Sequence, residues 1–146
     1  MAERFKLQSV LNYRQSLEDQ AQQQLVATQQ QRRDTEARIQ ARQQAMQSYD
    51  QELRRRQQEG LTVAEMELFE SRIQDSRRQI EDFREQLRLL DRRIAEQRRQ
   101  LLAAARERQV LEKLKDKQNA EYQRELSRKE RAMLDEISLR NQRDPT

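Results

Sequence analysis

The chain has 146 residues, with 25 Gln and 25 Arg but one Gly, one Pro and no Cys, His or Trp. Charged residues reach 38% and hydrophobic ones only 34%, too few large apolar side chains to enclose a globular core. The near absence of Gly and Pro removes the turns a sheet needs, and a net charge of only +4 on 30 basic and 26 acidic residues argues against disorder in a chain so rich in helix formers.

Long helix is what remains. From the start, apolar or small residues recur in steps of three and four: Leu7, Val10, Leu17, Ala21, Leu25, Thr28, Thr35, Ile39, Met46, Tyr49, Leu53. That period is a coiled-coil seam, with a four-four slip at Leu17–Ala21–Leu25. Arg14, Arg32 and Arg42 fall on the stripe, so this helix packs weakly. Gln20, Gln22–Gln24 and Gln29–Gln31 interleave with Leu25 and Thr28 and read as helix surface.

Gly60 is suited to the left-handed residue that ends a helix. Thr62 and Glu65 have the spacing of a capping box, with Leu61 and Met66 as its staple. The expected organisation is a single hairpin over 1–146: helix one about 3–58, a turn at 59–62, and helix two about 63–140. Along the second helix the stripe runs Met66, Phe69, Ile73, Ile80, Phe83, Leu87, Leu90, Ile94, Leu101, Ala104, Leu111. Ser76, Gln97 and Arg108 fill the gaps, and beyond Leu111 the phase slips through Leu114, Tyr122, Leu126, Met133 and Ile137. The fold class is therefore all-α: an antiparallel two-helix coiled-coil hairpin with an overhanging C-terminal helix. Pairs at i,i+4 (Asp34–Arg38, Asp50–Arg54, Glu52–Arg56, Glu125–Lys129, Glu136–Arg140) add a few tenths of a kcal/mol each.

At 1.5 Å per residue the helices span roughly 80 and 115 Å, so folding at Gly60 sets Leu7 near Leu111–Leu114. The last ~25–30 residues then lack an intramolecular partner, yet carry Leu126, Met133, Leu134, Ile137 and Leu139. Such an end needs another protein to bury it.

The same composition excludes most chemistry. Without Cys or His the usual nucleophiles, bases and metal ligands are missing, and one glycine cannot make a phosphate loop. No catalytic, cofactor or metal site is expected, and the chain is not read as an enzyme. Arg77, Arg84, Arg88, Arg92 and Arg99 form a row, but Glu81, Glu85 and Glu96 interleave with it and no aromatics accompany it, so the row is a solvated face and not a nucleic-acid site. Residues 59–71 carry four acidic and no basic side chains, an acidic tip that also suits a helix N-terminus. Tyr49, Phe69 and Phe83 read first as packing residues. No signal peptide and no stretch of about 18 apolar residues is present, so a soluble, cytoplasmic protein without membrane insertion is expected.

The opening Phe5-x-Leu7-x-x-Val10-Leu11-x-x-Arg14 with Glu18 and Ala21, the Gly60-Leu61-Thr62 turn, and Leu111-Glu112-Lys113-Leu114-Lys115 with Glu121-Tyr122, Glu130 and Asp135-Glu136 resemble the flagellar FliJ family, the coiled-coil stalk component of the type III export apparatus. The resemblance covers nearly the whole chain; the middle of each helix matches in period alone. It implies a hairpin similar to the long helices of a rotary-ATPase gamma subunit, with its paired ends in the hexameric flagellar export ATPase, whose assembly it promotes. It also implies contact with the cytoplasmic domain of the export gate protein, an escort role for export chaperones, and peripheral association with the inner membrane through that apparatus. Phe5, Leu7, Val10, Leu11, Leu134 and Ile137 are the expected ring-binding residues; Tyr49, Phe69 and Ile73 the expected gate-facing ones. An isolated monomer follows from the same resemblance. The alternatives are the stalk protein of a virulence secretion system and a generic coiled-coil scaffold or export chaperone.

Overall fold

The computed structural model describes residues 5–143. Two helices account for nearly all of them, α1 (Gln8–Glu59) and α2 (Val63–Arg143), packed against each other as an antiparallel hairpin. The expected helix start at residue 3 lies outside the described residues. Ahead of α1, the Gln8 amide donates to the Phe5 carbonyl at 3.1 Å and the Leu11 amide to Leu7 at 2.9 Å.

The turn is built from the residues that require it. Gly60 sits at φ 98°, the left-handed region that L side chains rarely adopt, and so ends α1 after Glu59. Thr62 then caps α2: its Oγ1 accepts the Glu65 amide at 3.2 Å, and its carbonyl accepts Met66 at 3.0 Å. Only half of the capping box forms. The Glu65 carboxylate turns across to α1 and accepts from Arg56 Nη1 at 3.2 Å, exchanging a local hydrogen bond for a charged one that ties the helices together beside the turn.

Packing divides the chain into two compact units, residues 21–100 and a second made of 5–20 with 101–143. In the turn-side unit the interior is a single file. Leu25, Thr28, Thr35 and Ile39 of α1, with Phe69, Ser76, Ile80 and Ile94 of α2, are buried. The spacing alternates three and four along both helices, as knobs-into-holes packing demands. Thr28 and Thr35, both 4% exposed, return their hydroxyls to the carbonyls of Gln24 (3.0 Å) and Gln31 (2.9 Å). A buried threonine is tolerated here because its polar atom is satisfied within its own helix. Gln97 is the counter-example: its Oε1 is buried and accepts no hydrogen bond among the described residues.

The terminal unit corrects the expected register. Leu11, 3% exposed, lies in the interior with Arg14 and Glu18 half-buried on the same stripe, while Leu7 and Val10 stand 41% and 39% exposed. The inward positions 11, 14, 18, 21 and 25 step three-four, and Leu17, half-buried beside Glu18, keeps the expected Leu17–Ala21–Leu25 step on the covered side as well. On α2 the phase also holds past Leu111, with Lys115, Gln118 and Tyr122 half-buried and Leu114 46% exposed. The physical reason is pairing. Arg14 bonds Glu107 at 2.5 Å, Arg108 bonds Glu18, and Lys115 bonds Gln8 at 2.8 Å. Polar residues matched across the helices can hold seam positions, whereas an apolar-only reading shifts to the nearest leucine or valine.

Candidate functional site

Past Tyr122, α2 has no helix beside it: every described residue from Gln123 to Arg143 is exposed, a length of about 30 Å. Four apolar side chains there are half or more uncovered, or nearly so: Met133 (63%), Leu134 (64%), Ile137 (49%) and Leu139 (53%). Tyr122, Leu126, Met133 and Ile137 follow one another by four, seven and four residues. At about 100° per residue they fall within a ~60° sector of the helix. Tyr122 to Met133 and Leu126 to Ile137 are each eleven apart, unlike the seven-residue repeat of the seam. The stripe is thus suited to a partner that follows a nearly straight or right-handed course, not to a continuation of the α1 coil.

The expected ring-binding residues occupy this unit at two levels. Phe5 is half-buried, Leu7 and Val10 are exposed, and Leu11 is spent on the interior. Leu134 and Ile137 lie roughly 35 Å further along α2 than Leu111, so the structure separates them from the α1 group. Sequence reasoning passed over Tyr13, which is 59% exposed with the Arg14 guanidinium 5.9 Å from its ring centre. It also passed over exposed Val110. Both lie one position off the seam, where a stripe search does not look.

In the turn-side unit Tyr49 and Ile73 are half-buried at the same level, with Phe69 buried a turn away. Arg72 stands 5.9 Å from the Tyr49 ring, a cation–π contact across the helices. The three expected gate-facing residues are therefore close together, Phe69 as their packed floor.

The charges are organised as pairs along the helices. Arg84, Arg88 and Arg99 bond Glu81, Glu85 and Glu96 at 2.9, 2.7 and 3.1 Å, which makes much of the arginine row a solvated face. Of the expected i,i+4 pairs, Asp50–Arg54 (3.1 Å), Glu52–Arg56 (3.8 Å) and Glu125–Lys129 (3.9 Å) form. Asp34 instead accepts the Gln30 amide at 2.9 Å. Arg32 is held above the usual arginine range by hydrogen bonds to Asp91 and Glu36, and Arg108 likewise by Glu18 and Glu112. Both stay cationic, so they serve as fixed cross-links and not as acids or bases. Among the described residues no group of three or more His, Cys, Asp or Glu could hold a metal ion, and no helix is long and apolar enough to cross a membrane. A groove of about 400 Å³, lined by Gln31, Asp34, Arg38, Gln86, Leu89 and Arg93, is open and mostly polar.

These features define a class: an antiparallel two-helix coiled-coil hairpin whose second helix runs on uncovered beyond the first. Within that class the chain belongs to the FliJ family, since the family model described as flagellar FliJ protein matches residues 3–145. The family is a structural component of the flagellar export apparatus. No curated protein and no solved structure gives a significant match.

Proposed function

We propose that this chain is the stalk of the flagellar type III export apparatus, seating its open end in the hexameric export ATPase and promoting that enzyme's assembly and activity. The observation that carries this reading is the stretch of α2 beyond Tyr122, apolar on one side and covered by nothing in the hairpin. Exposed Leu126, Met133, Leu134 and Ile137 on a rod one helix thick suit a central hole, where a partner surrounds the helix and buries all its sides. Leu7 and Val10 contribute at the wider level where both helices enter, with Phe5 ahead of them and Leu11 keeping the two helices together. The Tyr49–Phe69–Ile73 cluster is the surface offered to the cytoplasmic domain of the export gate protein, and export chaperones are further partners. The protein acts in the cytoplasm, held at the inner membrane through the apparatus, and is a monomer when isolated.

The test is ATP hydrolysis by the purified export ATPase with and without this protein. Stimulation is expected, and Leu134→Asp with Ile137→Asp should abolish it while helicity is kept. Absence of stimulation, or stimulation untouched by the double substitution, refutes the placement.

A further inference from the structure

The two flanks of the terminal unit are chemically unlike. One flank carries Gln15, Asp19, Glu112 and Asp116, all polar or acidic. On the opposite flank Val10 of α1 and Leu114 of α2 hold corresponding positions beside the seam, with Tyr13 and Val110 one step further out on the same flank. All four are uncovered, at 39%, 46%, 59% and 58%. The cross-helix contacts fix this placement. Arg14 reaches Glu107, which lies on the Leu114 side of the seam, while its guanidinium lies over Tyr13; Glu112, on the other side, is engaged by Arg108.

The charges on the apolar flank are one-sided as well. Glu107 is already neutralised by Arg14. Arg106, Lys113 and Lys117 line the outer edge of the groove and form no ion pair among the described residues. The α1 edge carries Lys6 with Ser9, Ser16 and Gln20, and the carboxylate left on this flank is Glu121, one heptad beyond Leu114.

From this we propose that the Val10–Tyr13–Val110–Leu114 groove binds a third helix, an amphipathic segment of another protein whose apolar stripe is bordered by acidic residues. Leu114 and Val110 are one turn apart on α2, as are Val10 and Tyr13 on α1, a spacing that accepts knobs at i, i+3 or i+4, and i+7 of an incoming helix. The unpaired cations select acidic borders, speed encounter and disfavour basic helices. The surface shares Val10 with the level where both helices are proposed to enter the ring, and is otherwise distinct from the overhang stripe that carries the stalk reading.

The probe is a fluorescein-labelled amphipathic peptide of about 21 residues with leucines at helical spacing and glutamates beside them; its twin carries lysines instead. Fluorescence anisotropy with the full-length protein should show the glutamate peptide binding at least about tenfold more tightly than the lysine twin. Val110→Glu with Leu114→Glu should remove that binding, and Lys113→Glu with Lys117→Glu should reverse the preference. Leu134→Asp with Ile137→Asp should leave it unchanged. Equal binding of the twins, or loss of binding in the Leu134/Ile137 variant, overturns the inference. ATPase stimulation measured on the same variants separates the readings, because stimulation retained in the Leu134→Asp, Ile137→Asp variant with the peptide preference intact counts against the stalk placement alone.

Discussion

Replacing Gln97 by leucine should stabilise the hairpin, although the change makes a very polar protein less polar. Gln97 occupies a seam position of α2, one turn after buried Ile94 and at the level of buried Leu25. Its Oε1 is out of water and accepts no hydrogen bond among the described residues. Leaving a buried acceptor unmade costs about 1–3 kcal/mol, and because the residue is only half-buried the lower part of that range applies, about 1–2 kcal/mol. Leucine has nearly the same volume and the same helix propensity, so little is lost in exchange. For a chain of this size each kcal/mol moves the melting temperature by roughly 2–4 °C, and a rise of about 3–6 °C is expected. Thermal unfolding followed by far-ultraviolet circular dichroism measures it. Gln97→Glu is the control: it keeps the shape, adds a charge to the orphaned end, and should lower the midpoint. A melting temperature for Gln97→Leu that is unmoved or lower shows that the amide is satisfied in solution, and refutes the reasoning.

Ile94→Ala should cost about 2–4 kcal/mol through lost burial and the space left behind, whereas Leu134→Ala should stay within about 0.5 kcal/mol, since nothing in the hairpin covers Leu134; chemical denaturation of the two variants side by side checks the contrast. Gly60→Ala meets no atom within 4 Å, so its whole effect is the strain of φ 98°, about 1–2 kcal/mol, read in the same denaturation experiment. The melting temperature should be flat between about pH 6 and 9, because the chain has no His or Cys to titrate there. Arg32 and Arg108 are raised by their carboxylate partners, so the stability they add is complete below the ordinary arginine range and is lost only as pH climbs through their still higher folded values. A midpoint that moves by more than a few degrees across that window contradicts this.

What could be read from the residues depended on how locally each feature is determined. Gly60 and Thr62 were legible because a left-handed residue and a cap are set by neighbours along the chain. The seam from Leu25 onward and from Phe69 to Leu111 was legible because its inward positions are mostly apolar or small. The terminal register was not. Arg14, Glu18, Arg108 and Lys115 hold inward positions only because each finds its partner on the other helix, ninety or more residues away. No hydrophobic period reveals such a match, so the stripe was drawn through Leu7, Val10 and Leu114, which the structure exposes. The same error hid the flank they form. The overhang, by contrast, followed from helix lengths alone.

The distribution of polar seam residues bears on how such a rod works. In the turn-side unit the interior is closed mainly by buried aliphatic, aromatic and hydroxyl side chains, with Thr28 and Thr35 satisfied within their own helix and Gln97 the orphan. In the terminal unit Leu11 is the buried apolar side chain among the described residues, with Leu17, Leu101, Ala104 and Leu111 half-buried, and Arg14–Glu107, Arg108–Glu18 and Lys115–Gln8 link the helices between them. Charged layers add little net cohesion but are intolerant of mismatch: sliding one helix by a turn leaves each cation facing the wrong residue. Apolar layers are more forgiving of such a slip. The turn-side unit has one such pair at a seam position, Arg32–Asp91, and a second beside the turn, Arg56–Glu65. The terminal unit has fewer buried apolar layers to fall back on, so salt should weaken it more. Under the proposed stalk function, presenting Leu7, Val10 and the α2 stripe at defined heights to a surrounding partner calls for that kind of fixing, and a correct register matters more than a tighter core.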